Sequence, residues 1–266
     1  MEIRIIRAQN SCNMPHLEIL LFFFIIAFVY ASVGFGGGSS YLAILVLYSL
    51  PFKEMRLIAL ICNIIVVTGG TIIFVNNNQV NWKKILPLAL ASVPMAFLGA
   101  ILKLSQDTFF FILGFSLIAA AILLWVKTRR NDGENIAATG KYSYIKDGFI
   151  GGAIGFLSGM VGIGGGIFLS PLLNLLKWDT AKRIAATASI FILVNSIAGI
   201  AGQLTTLETD VNYLRIVLLC IAVFLGGQAG SRMGAIKFNR LVIRRLTAIL
   251  VFVAGVEVLR SIFEHK

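Results

Sequence analysis

Two five-residue runs are places where the backbone itself could do chemistry. Gly34-Phe35-Gly36-Gly37-Gly38 and Gly162-Ile163-Gly164-Gly165-Gly166 each interrupt a long apolar stretch. Glycine at this density breaks a helix. The break leaves successive amide N–H groups without helical partners, and the half-helix that follows adds the partial positive charge of its N-terminus. Such a site holds an anion through backbone donors and needs no buried lysine or arginine. Ser39 and Ser40 add hydroxyl donors to the first run, with Ser39 placed to cap the half-helix. The second run has Ile167 and Phe168 in their place. The candidate substrate ligands are therefore Gly36, Gly37, Gly38, Ser39, Ser40, Gly164, Gly165 and Gly166.

The apolar stretches after each run carry unusual polar residues: Asn63, Thr68 and Thr71 after the first, and Thr187, Ser189, Asn195 and Ser196 after the second. Polar side chains in apolar helices face a cavity or another helix, although Ser and Thr also bond back to their own helix. Asn63, Thr68, Thr187, Ser189 and Asn195 join the candidate ligands. Arg56 and Arg183 flank these stretches at equivalent positions, either as topological anchors or as attractors of anions to a cavity mouth. Glycines at four-residue spacing, Gly151, Gly155 and Gly159 and again Gly226, Gly230 and Gly234, read as close-packing faces. Those faces serve either internal packing or a homodimer.

Other chemistries lack their residues. The two histidines, His16 and His265, lie near the termini. Cys12, Cys62 and Cys220 form no C-x-x-C pattern, so neither a metal site nor a disulfide framework is expected. Ser39 and Ser158 have no histidine or paired acid in the apolar stretches to activate them. Glu257 is the one acid within such a stretch, close enough to the C-terminus to snorkel. No G-x-x-x-x-G-K-S/T run is present. An enzyme is not expected, nor a cofactor.

These candidates sit in a chain built for a bilayer. Of its 266 residues 58% are hydrophobic and only 13% charged, with a mean hydropathy of +0.90. The charged share is about half that of a soluble domain. Residues 19–52, 57–82, 85–102, 108–126, 148–176, 184–207 and 216–231 contain no Asp, Glu, Lys or Arg. With a last segment around 246–256 they make eight hydrophobic segments, where a span needs roughly 20 apolar residues. The expected fold class is an all-α polytopic integral membrane protein. The net charge of +11 comes from loop residues such as Lys127, Arg129, Arg130, Arg240, Arg244 and Arg245. It reads as topology and lipid contact, not nucleic-acid binding.

The chain is also a duplication. The glycine runs recur at an offset of 128, Arg56-Leu57-Ile58-Ala59 and Arg183-Ile184-Ala185-Ala186 at 127, and Val80-Asn81-Trp82 and Val211-Asn212-Tyr213 at 131. The expected boundaries are an N-terminal segment 1–16, a first membrane repeat 17–126, a polar linker 127–145 and a second repeat 146–262. The first apolar run, 17–50, would measure about 51 Å as one straight helix, against a hydrocarbon core of about 30 Å. Broken backbone at membrane depth must be buried in protein or line a cavity. If each broken element crosses fully, the two sides carry 12 and 11 basic residues; if each folds back as a re-entrant hairpin, they carry 8 and 15. The second arrangement gives the bias that sets orientation, with the linker side cytoplasmic. It also makes the halves an inverted repeat.

From about Leu17 to Ile262 the chain resembles the TauE/SafE family of sulfite exporter-like membrane permeases. The resemblance rests on Gly34–Gly38, on the run Leu157 to Ile167 around the second glycines, on Ala185-Ala186-Thr187-Ala188-Ser189, and on the four-plus-four layout. It implies transport of small sulfur-containing or organic anions such as sulfite, thiosulfate or sulfoacetate. Duplicated halves with a site at their interface suit a secondary transporter working by alternating access. A passive anion channel or a non-transporting membrane partner protein are the alternatives. The expected location is a bacterial inner (plasma) membrane, multi-pass, and the expected partners are a small anionic solute and membrane lipid.

Overall fold

The computed structural model describes residues 17–32, 35–48, 50–102, 104–129, 143–205 and 212–234, with a few positions between 248 and 260. Gly34, Cys12, both histidines, Glu257, Arg130, Arg240, Arg244, Arg245 and most of the linker lie outside the described residues. Among the described residues the chain is all helical: α1 Leu17–Ala31, α2 Gly38–Leu47, α3 Phe52–Asn76, α4 Trp82–Ile101, α5 Gln106–Arg129, α6 Tyr144–Val161, α7 Gly166–Leu175, α8 Ala181–Leu204 and α9 Tyr213–Gly234. Four described helices are long and apolar enough to cross a membrane: Phe52–Asn76, Trp82–Ile101, Lys182–Leu204 and Tyr213–Arg232. Large apolar side chains such as Leu90, Leu98, Phe115 and Phe224 are exposed, as lipid-facing positions require.

Each broken element folds back on itself. Tyr41 of α2 stacks on Phe23 of α1 with ring centroids 4.7 Å apart. Tyr30 and Ser40 share a 2.7 Å hydroxyl bond. At the open end Tyr48 donates to Glu18 at 3.3 Å. The second element closes in the same way: the Trp178 indole donates to Asp147 at 3.0 Å. An aromatic donor after the short helix thus meets a carboxylate in the first turn of the long one, in both hairpins.

The tips turn on glycine. Gly37 has φ 86°, and Gly162, Gly164 and Gly165 have φ 80°, 80° and 79°. An L side chain there costs roughly 1–2 kcal/mol. Gly37 and Gly165 hold the cap positions of α2 and α7. Ser39, expected to cap α2, is instead its second residue, because the left-handed turn at Gly37 starts the helix earlier.

The halves interlock. Along α6, a Cβ added to Gly151, Gly155 or Gly159 would overlap the carbonyls of Leu88, Ser92 or Ala96 on α4. Along α9, one added to Gly226 or Gly230 would overlap the carbonyls of Phe24 or Phe28 on α1. With each glycine hairpin counted as the first helix of its repeat, α1 and α6 therefore pack, parallel and backbone-close, on the third helix of the other repeat, α9 and α4. These glycine faces are internal; of Gly234 the structure describes no surroundings. The second helices, α3 and α8, run antiparallel: Gln203 donates to the Lys53 carbonyl, while a Cβ on Gly199 would meet Leu60 and one on Gly70 would meet Ser189.

Candidate anion-binding site

The antiparallel crossing of α3 and α8 brings both glycine tips to one level. Asn63, in the middle of α3 and fully buried, is the residue between them. Its side-chain amide donates to the carbonyl of Ile163, in the second tip, at 2.9 Å. A Cβ at Gly36 or Gly38, in the first tip, would overlap the same side chain. A Cβ at Gly164 would stand 2.9 Å from its Nδ2 and 3.0 Å from Ser196 Oγ, and one at Gly38 would stand 2.9 Å from the Ile163 carbonyl. Four features meet here: the first tip, the second tip, Asn63 of α3 and Ser196 of α8. Glycine is needed because any larger residue would fill the space that Asn63 and the opposite tip occupy.

Several buried polar atoms around this meeting point have no hydrogen-bond partner. They are Asn63 Oδ1, Ser196 Oγ, Ser158 Oγ and Tyr41 OH, and Asn195 Oδ1, next along α8 from Ser196, is unpaired as well. Ser158 packs behind Gly165, whose Cβ would lie 3.2 Å from Ser158 Cβ, and Tyr41 lies against Gly37 in the same way, its hydroxyl 3.1 Å from the added atom. Unsatisfied buried polar atoms each cost roughly 1–3 kcal/mol, so such a cluster is suited to a polar solute or water. The cluster contains neither acid nor base. Its donors are hydroxyls, the Asn63 amide, which already donates to Ile163, and the first N–H groups of α2 and α7, which no helical carbonyl can reach; the unpaired amide oxygens of Asn63 and Asn195 are acceptors. Neutral donors with two helix N-termini suit an anion.

The other candidates divide. Ser40 is tied to Tyr30; Ser39 is buried near it. Asn195 is buried and donates to its own helix at Phe191, 2.8 Å, leaving its oxygen unpaired. Ser189 is buried opposite Gly70. Thr187 bonds back to the Arg183 carbonyl at 2.8 Å, one turn from the start of α8. Thr68 is exposed and bonds back to Ile64 at 2.6 Å. The structure does not bring Thr68 to the cluster. Ser158 and Ser196, absent from the candidate ligands, are in it; Ser196 adjoins Asn195, and that pairing was the available signal.

Arg56 is a buried cation beside the second tip. It is only 3% exposed, packs on Gly162 and donates to the Gly159 carbonyl at 2.7 Å and, more weakly, to Ala100 at 3.5 Å. Its guanidinium stands 5.9 Å from the Phe109 ring. Placed at the C-terminal turn of α6, it complements the negative end of that helix. Arg183, its sequence equivalent, has a side chain 49% exposed and stands 3.8 Å from Asp179.

In sequence the chain is similar to proteins described as membrane transporters. A family profile described as Sulfite exporter TauE/SafE matches residues 19–258. The probable membrane transporter protein y4hK of Sinorhizobium fredii is 31% identical over 244 residues, covering 91% of this chain and 98% of that protein. The probable membrane transporter protein YunE of Bacillus subtilis is 25% identical over 218 residues, covering 75% and 79%. No solved structure matches.

Proposed function

Because the chain belongs to the TauE/SafE sulfite exporter family of membrane transporters, we propose that it carries a small sulfur-containing oxyanion or organosulfonate, such as sulfite, thiosulfate or sulfoacetate. The solute binds between the two glycine tips and crosses by alternating access. The observation that carries the reading is Asn63, which bonds one tip and is enclosed by the other. A solute seated there touches both repeats, so rocking one against the other changes which face it sees. The antiparallel run of α3 and α8 and the fold-back of both hairpins support an inverted repeat. The neutral donor set supports an anion that must also be released, since a fixed buried cation would bind it tightly and is costly to hold at membrane depth.

The test is a thermal-shift series on the purified protein with sulfite, thiosulfate, sulfate, sulfoacetate, taurine and simple carboxylates at matched ionic strength. A ligand at about 100 times its Kd stabilises the native state by about 2.7 kcal/mol. A shift confined to sulfur oxyanions and absent in Gly165→Val supports the site. An equal shift in Gly165→Val overturns it. Flux that fails to saturate or to show counterflow in liposomes turns the reading to a passive channel.

A further inference from the structure

Two ion pairs join the repeats, and they are built crosswise. Arg215, in the first turn of α9, reaches Glu54 in the first turn of α3 at 3.2 Å. Lys84, in the first turn of α4, reaches Asp179, just ahead of α8, at 3.0 Å. Lys84 and Arg215 stand 131 residues apart, the offset that relates Val80-Asn81-Trp82 to Val211-Asn212-Tyr213. Equivalent cations therefore each grip an acid at the start of the second helix of the opposite repeat. Both acids are buried, with side chains 6% and 2% exposed.

The pairs lie at opposite ends of the molecule. Near the C-terminal end of α8, Gln203 donates to the carbonyl of Lys53, the neighbour of Glu54. At the other end, Asp179 precedes Thr180, the cap of α8. The 24 residues of α8 span about 36 Å, and Ser196, beside Asn63, lies between those ends. Lys84 also donates to the Trp178 carbonyl at 2.9 Å and lies 5.0 Å from its ring. Trp178 closes the base of the second hairpin through Asp147. This pair therefore holds both the opposite repeat and the hairpin that presents the second glycine tip.

We propose that Glu54–Arg215 and Lys84–Asp179 are the two gates of the transporter, one toward each membrane face, and that each cycle opens one while the other stays closed. The inference rests on the alternating-access reading. An ion pair suits a gate because its attraction is offset by the cost of desolvating both charges, so closed and water-filled open states lie near balance. An apolar plug would have no such counterweight on wetting. The crosswise pattern makes the two ends alike without making them identical: Asp179 is shared with Arg183.

The experiment places a reporter, Ser196→Cys, in a variant with Cys12, Cys62 and Cys220 changed to serine. A membrane-impermeant maleimide is applied from either face of sealed vesicles. Glu54→Gln raises the labelling rate about tenfold, equivalent to about 1.4 kcal/mol, from the face bearing Glu54 only. Asp179→Asn does the same from the other face only. The exchanged pair Glu54→Arg with Arg215→Glu restores the parent rate. A rise from both faces alike, or from neither, overturns the gates. If Glu54→Gln does not fold, Arg215→Gln is the second arm: it raises labelling from the same face only, and labelling unchanged from that face overturns the proposal. Labelling needs no transported solute. Radiolabelled sulfite counterflow in the cysteine-free parent reads the transport function separately. Sided labelling without sulfite counterflow upholds the gates and removes sulfite as the solute; counterflow with unsided labelling removes the gates alone.

Discussion

The side-chain amide of Asn63 and the carbonyl oxygen of Ile163 lie 2.9 Å apart across 100 residues of sequence, and the bond is fully buried. It ties the second helix of one repeat to the glycine tip of the other. Asn63→Asp removes the donor and sets a negative charge at the proposed anion site. Sulfite uptake into liposomes is expected to fall more than tenfold, with a melting temperature that drops as a lost buried bond of about 1–3 kcal/mol requires. Uptake at the parent rate would show that the solute does not pass this residue.

Glycine positions separate by geometry. Gly164→Ala puts a methyl at φ 80°, within 2.9 Å of Asn63 Nδ2 and 3.0 Å of Ser196 Oγ. Gly70→Ala, within α3, meets only Ser189 Oγ of α8 at 3.9 Å. Thermal melts in detergent should show a loss of at least about 1 kcal/mol for the first and a neutral or slightly stabilising change for the second, since alanine favours the helix by about 1 kcal/mol.

The two hairpin bases differ in burial. Asp147 is 4% exposed, and its second oxygen has no partner. Trp178→Phe keeps a smaller aromatic ring and removes the only donor identified to that carboxylate among the described residues. It should cost about 1–3 kcal/mol, and a double-mutant cycle with Asp147→Ala should return a coupling above about 0.5 kcal/mol. Tyr48→Phe, at the exposed counterpart bond to Glu18, should stay within about 0.5 kcal/mol.

The equivalent arginines also part company. Arg56→Met retains much of the packing volume and takes the charged donor from the Gly159 carbonyl, which should lower stability by about 1.5–3 kcal/mol. Arg183→Met, at a half-exposed side chain, should change it by less than about 1 kcal/mol. Equal losses would mean that the two residues share one environment in solution.

Local signals were readable in the sequence. The glycine runs break the helices where expected, the hairpins fold back as the basic-residue count favoured, and Gly151, Gly155 and Gly159 pack. Each of these follows from neighbours in the chain. What escaped depends on topology. Helices that are apolar nearly all round carry little angular information, so nothing marked Thr68 as outward-facing and Asn195, its repeat equivalent, as buried. Ser39 looked like a cap because the left-handed turn at Gly37 is invisible in residue types. The crosswise pairs of Glu54 with Arg215 and Lys84 with Asp179 join residues 161 and 95 positions apart, and only the interlocked packing of the repeats brings them together.

That interlock sets an order of assembly. The seat on α1 formed by the Phe24 and Phe28 carbonyls is filled by Gly226 and Gly230 of α9, some two hundred residues later in synthesis. At about 5–20 residues per second, α1 spends about 10–40 s in the membrane before its partner helix is made. The seat that α4 offers to α6 waits for a much shorter stretch of chain. The second hairpin therefore has its seat on α4 ready before α9 exists to fill the seat on α1, and the first of the described helices is among the last to gain its packing partner.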